Sequence, residues 1–212
     1  GITVYTYGRY GDGLGPVGEG VLVRYNGDKA KNYIKSELYR MEAKAFQIKD
    51  ASDNKVRNYF DSKYNVSSTS PDTNNPNIKK YGKVIDEYNL FNNNCTTMSS
   101  GAIKAGGSTV FDTKGTFSNY DEDFVIPSSL QKYLEKSSKD NKNVNDATER
   151  LKTYYSQAKK IERINGVGSS GSSSGAMVSS SGSSANTSSS DTSSSGSGSG
   201  AFGSSFNSSY WK

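Results

Sequence analysis

The chain has 212 residues, a net charge of +5, one cysteine and no histidine. Without histidine there is no His-ligated metal and no Ser-His or Cys-His couple within the chain, and one cysteine gives neither a disulfide framework nor a cysteine-based zinc site. No apolar run approaches the length of a membrane-spanning helix, and no cofactor is expected.

Composition divides the chain in two. From Gly166 to Lys212 it is mostly serine and glycine without apolar periodicity, and such a stretch cannot bury enough surface to offset its ordering entropy. The expectation is a folded α+β domain over 1–165 and a disordered Ser/Gly-rich tail over 166–212. The tail carries only Asp191 and Lys212, so the positive charge belongs to the domain. The chain runs from Gly1 straight into a strand-like segment with no secretory leader, which reads as a released piece of something longer.

Residues 2–10 are β-branched and aromatic and read as a strand; the glycine-rich 11–20 reads as a turn and 21–25 as a second strand, together a hairpin. Gly13, Gly15 and Gly18 spell a dinucleotide-type glycine pattern, but a strand follows where a helix is required, so the nucleotide reading is rejected. Asp28 opens a helix to about Ala43 with Ala30, Tyr33, Ile34, Glu37, Leu38 and Met41 at helical spacing. Residues 45–48 form a short strand, and Ser52 or Asp53 caps a second helix to about Tyr64. Residues 65–80, with Pro71, Pro76 and many asparagines, read as loop. A strand-like run over 84–91 leads to Asn92, Asn93, Asn94 and Cys95. From Cys95 to Ala105 a helix is expected, stopped at Gly106-Gly107. Pro127 opens another helical stretch with Leu130, Tyr133 and Leu134, and 144–164 reads as a long amphipathic helix with Val144, Ala147, Leu151, Tyr154, Ala158 and Ile161 as its stripe, packed on the domain.

Cys95 is the residue most suggestive of chemistry. A lone cysteine is most often a small buried hydrophobe. This one follows a polar triplet and opens a helix, where unpaired N–H groups and the macrodipole favour a thiolate. Thr96 and Thr97 could add hydroxyl donors. On chemistry alone, nucleophile and buried hydrophobe stand level.

The segment YNLFNNNCTTMSSGAIKAGG (88–107), with strands before it and IPSSLQKYL after it, resembles the nucleophile region of circularly permuted NlpC/P60-type papain-fold hydrolases. That group includes LRAT-like acyltransferases and domains at the C-termini of RHS and other polymorphic toxins. The resemblance covers roughly 1–135. It implies a small antiparallel sheet packed against the cysteine-bearing helix, with Cys95 as nucleophile, Asn94 fixing the elbow before it, and the backbone N–H groups of Cys95 and Thr96 as an oxyanion hole. The implied activity is hydrolysis or acyl transfer at an amide or ester of peptidoglycan, protein or lipid, in a secreted or cell-envelope setting. The family's histidine lies in the first strand, and this chain has none there. Either the base comes from outside the chain, or the domain is an inactive binding module on the same scaffold, such as the delivered end of a secreted toxin or surface protein. Tyr5, Tyr7 and Glu19 occupy strand positions near the missing base, and of Ile2 and Thr3 one is expected to face the Cys95 helix.

Other features are weaker. Asp121, Glu122 and Asp123 are consecutive and read as a solvated loop rather than a cation site. The 15 tyrosines are interleaved with lysines, but most fall on apolar faces, which argues for packing over nucleic-acid stacking. Phe202, Phe206, Tyr210 and Trp211 stand out of the tail as a docking segment or as chance.

Overall fold

Strand β1 (Ile2–Gly8) pairs antiparallel with β2 (Val17–Asn26), with Thr3 opposite Asn26 and Gly8 opposite Val21. The computed structural model describes residues 1–10, 15–114, 119–121, 127–140, 142–157 and 174–180. The remaining elements in chain order are α1 (Gly27–Arg40), β3 (Phe46–Ile48), α2 (Asp53–Val66), α3 (Pro76–Tyr81), β4 (Gly82–Asn89), α4 (Cys95–Ala105), β5 (Asp112–Lys114), β6 (Asn119–Asp121), α5 (Pro127–Asp140), β7 (Val144–Asp146), α6 (Thr148–Tyr154) and β8 (Ser174–Ser180). The main sheet has four strands in the order β4-β2-β1-β8, all antiparallel; β3 pairs with β7, and β5 with β6.

Both faces of the sheet are covered, which is why β1 and the centre of β2 are apolar without a solvent-facing alternation. Tyr5, Tyr7, Leu22 and Tyr88 join one core with Val56 and Phe60 of α2, Met98, Ala102 and Ile103 of α4, and Leu130 and Leu134 of α5. Val4, Val21, Val23 and Tyr25 point the other way, onto Ala30, Tyr33, Ile34 and Leu38 of α1, Ile78 of α3 and Leu151 of α6. The period-two alternation of β1 and β2 thus decides which helix each side chain meets. Several of the tyrosines set against the lysines are core: Tyr5, Tyr7, Tyr25, Tyr33 and Tyr88 are fully buried.

The α+β class, the small antiparallel sheet and the helices at 27–40, 53–66, 95–105 and 127–140 follow the sequence pattern. The glycine stop of α4 is real, with Gly107 at φ +82° accepting the left-handed turn that ends the helix. Three expectations need correction. The loop 65–80 contains the start of α3, because Asn75 Oδ1 accepts from Asn77 N at 2.9 Å and Ile78 N at 3.1 Å ahead of Pro76, and Ile78 is buried. The single helix over 144–164 is not formed: Val144–Asp146 pairs with β3, and α6 begins only at Thr148, whose N–H is held by Asp146 Oδ1 at 2.9 Å. Tyr154 of the expected stripe is 79% exposed, and 158–164 lies outside the described residues. Within the Ser/Gly-rich 166–212, Ser174–Ser180 is a strand on the outer edge of β1. The rest of that stretch, including Phe202, Phe206, Tyr210 and Trp211, lies outside the described residues, as do Glu122 and Asp123.

Candidate functional site

The turn between β4 and α4 is built by asparagines. Asn89 and Asn93 exchange backbone hydrogen bonds at 2.8 Å (Asn89 N to Asn93 O) and 2.9 Å (Asn93 N to Asn89 O), and Asn89 Oδ1 accepts from Phe91 N at 2.9 Å. Asn94 is the N-cap of α4. Its Oδ1 accepts from Thr96 N at 2.9 Å and Thr97 N at 3.2 Å, while Thr97 Oγ1 accepts from Asn94 N at 2.9 Å. This is a capping box with threonine in the usual glutamate position. Asn94 Nδ2 also donates to Leu90 O at 2.8 Å, so one buried side chain ties turn and helix together. Asn94 thus fixes the backbone on either side of Cys95 as a helix cap.

Cys95 stands at the first position of α4, as expected, but it is fully buried. Burial pushes its thiol up to about 12, against weaker lowering by hydrogen bonding to Thr96 and by its own backbone. The expected accessible thiol of depressed pKa is therefore overturned: at this position desolvation outweighs the helix terminus. Thr96 is also fully buried, with Oγ1 3.9 Å from Cys95 Sγ. Its N–H is occupied by Asn94 Oδ1, which removes half of the expected oxyanion pair.

A polar cluster joins β1, β4 and the turn ahead of Cys95. Tyr7 Oη of β1 donates to Asp86 Oδ1 of β4 at 2.6 Å and accepts from Asn93 Nδ2 at 3.2 Å. Asn93 Nδ2 also donates to Glu87 O at 2.6 Å. Burial, and then the hydrogen bond to Asp86, hold the Tyr7 phenol far above its ordinary range, so it is a neutral donor. Sequence reading named Tyr7 but missed Asp86 and Asn93, whose involvement depends on pairing distant strands; the polar Asn triplet was the one signal for Asn93.

The other strand candidates point elsewhere. Tyr5 donates to Asp61 of α2 at 2.8 Å, where Arg24 is also 2.8 Å from the same oxygen. Glu19 Oε2 accepts from Asp72 N at 2.9 Å. Of Ile2 and Thr3, Thr3 shares the face of Tyr5 and Tyr7, but it is held by Asn26 and Arg57, about 13 Å along the strand from Tyr7.

Two large apolar side chains rim this end of the β2–β4 pair: Val17, 42% exposed, and Phe91, 70% exposed. They are linked through the Val17–Asn89 pairing and the bond from Leu90 N to Pro16 O at 2.9 Å. Among the described residues, no group of three or more His, Cys, Asp or Glu could hold a metal ion, and no helix is long and apolar enough to cross a membrane. Comparison with protein-family models, with curated proteins and with solved structures finds no match.

Proposed function

We propose that this domain is a permuted NlpC/P60-like module that binds an amide-bearing chain, of peptide or peptidoglycan type, without cleaving it. The observation that carries this reading is the state of Cys95: fully buried, its thiol pushed up to about 12 by that burial, in a chain without an imidazole. A thiol in that state is a small hydrophobe of the core, not a nucleophile. At the β2–β4 edge, the exposed pair Val17 and Phe91 and the exposed Asn92 between β4 and α4 offer apolar contact and a carboxamide for amide pairing.

The test is binding of full-length protein to soluble peptidoglycan fragments and to a peptide panel, followed by calorimetry. Cys95→Ala should leave affinity within about twofold, whereas Phe91→Ala should weaken it by roughly tenfold. Turnover of the same substrates that disappears in Cys95→Ala would overturn the binding reading. It would restore the hydrolase or acyltransferase reading, with its base supplied from outside the chain. The capped helix terminus at Cys95 is the feature that favours that second reading.

A further inference from the structure

The two edges of the main sheet are treated differently. The β4 edge carries Lys83, Asp86 and Glu87, the charged residues that discourage further strand pairing. Strand β1, ITVYTYG, has seven residues with no charge and no proline, and both its faces are buried under helices. Left open, its outer edge would present a row of unpaired main-chain groups in an apolar setting, which is costly and a template for association. β8 covers it along the full length, from Ile2 opposite Ser180 to Gly8 opposite Ser174.

The covering strand, SGAMVSS, comes from a stretch with no charged residue from Gly166 to Ser190. Serine and glycine specify register weakly, so main-chain hydrogen bonding, rather than a unique side-chain fit, holds such a strand. β8 also lies against α4 and α2, so it is seated on the sheet rather than hung from it.

We propose that the outer edge of β1 is a strand-acceptor site for extended, uncharged segments of small residues. β8 is its occupant in cis, exchangeable for the same segment supplied in trans. The recognition is β-augmentation, independent of Cys95 and of the reading given above.

Two measurements on the full chain test this. Alternate amides of β1 point to β2 and to β8. In native hydrogen exchange the β8-facing set should be protected, yet exchange at least roughly tenfold faster than the β2-facing set. No protection, or equal protection of both sets, would overturn the proposal. The second uses a fluorescent peptide of sequence 172–182 with Ala176→Pro and, separately, Met177→Pro. One of these neighbouring prolines removes a ladder N–H while the other faces away from β1. The ladder-breaking variant should bind the peptide at least roughly tenfold more tightly than the other. A proline-containing version of the peptide should not bind. Equal binding by both variants, or binding by neither, overturns the exchangeable edge; the hydrogen-exchange result stands on the unaltered chain in any case.

Discussion

Tyr7 Oη and Asp86 Oδ1 meet at 2.6 Å although their strands are not neighbours: β2 lies between them, and the side chains join over Gly20. A Cβ at Gly20 would overlap both Asp86 Oδ1 and Tyr7 Oη. The register shift between Gly20 and Val21, which sets Gly20 opposite Asp86 and Val21 opposite Val84, brings the carboxylate to this spot. The glycine is therefore required by close approach of side chains rather than by backbone conformation.

Gly20→Ala should destabilise the domain by about 1–3 kcal/mol through overpacking, and Tyr7→Phe by a similar ~1–3 kcal/mol through loss of a hydrogen bond to a carboxylate. Urea unfolding of the two single variants and the double should show a total smaller than the sum, because the methyl group and the missing hydroxyl damage the same contact. Strict additivity would mean that the sheet accommodates the methyl group without disturbing Tyr7 and Asp86.

Asn94→Ala removes the acceptor for two helix N–H groups and the donor to Leu90 O. A loss of about 2 kcal/mol is expected, at the upper end for an N-cap. Asn94→Asp keeps the acceptor and loses the donor, so its thermal midpoint should fall between parent and alanine variant. An alanine variant as stable as the parent would show that the turn holds α4 without its cap.

How far the sequence reveals this arrangement depends on how local the signals are. α1 and α2 were readable from helical spacing, and α4 from its asparagine N-cap and Gly106-Gly107 stop, because caps and apolar stripes act within a few residues. Val144–Asp146 misread as helix because its partner, β3, lies nearly a hundred residues earlier, and pairing with Ile48 overrides the local period. β8 is invisible to composition, since its order comes from an edge that β1 presents. Cys95 shows both sides at once. Its place at a helix terminus is local and readable; its burial, which reverses the thiol's expected acidity, is created by long-range packing.

Stability should decline at alkaline pH. Cys95 is held up to about 12 from an ordinary 9.0, and Tyr155 up to about 12 from 10.0; burial also raises Tyr5, Tyr7, Tyr25 and Tyr33. Each group keeps its proton in the folded state where the unfolded chain would lose it. Their contribution is fully present below about pH 9 and is lost as pH rises toward the folded-state values. Urea midpoints from pH 8 to 12 should fall steadily above 9, with the tyrosinate signal of the buried phenols, resolved by comparing Tyr→Phe variants at these positions, appearing together with unfolding. Ionisation of the buried phenols while the fold persists would mean that they are open to solvent.

The last prediction concerns the place of the missing base. Tyr7 is hydrogen-bonded to Asp86 and lies within electrostatic range of Cys95, which makes it the position at which to introduce an imidazole oriented by a carboxylate. Tyr7→His should therefore place a ring that donates to Asp86 and, when protonated, favours the Cys95 thiolate. The expected signature is a thiol pKa well below about 12 and thiolate absorbance that persists to lower pH than in the parent. Tyr7→Phe, which opens the same polar contact without adding a cation, controls for simple loosening. Thr3→His, on the same face but remote, should leave the thiol unchanged. A folded Tyr7→His protein whose thiol titrates like that of Tyr7→Phe would show that β1 does not present its residues to the cysteine. It would also remove the permuted papain-like arrangement as an account of this site.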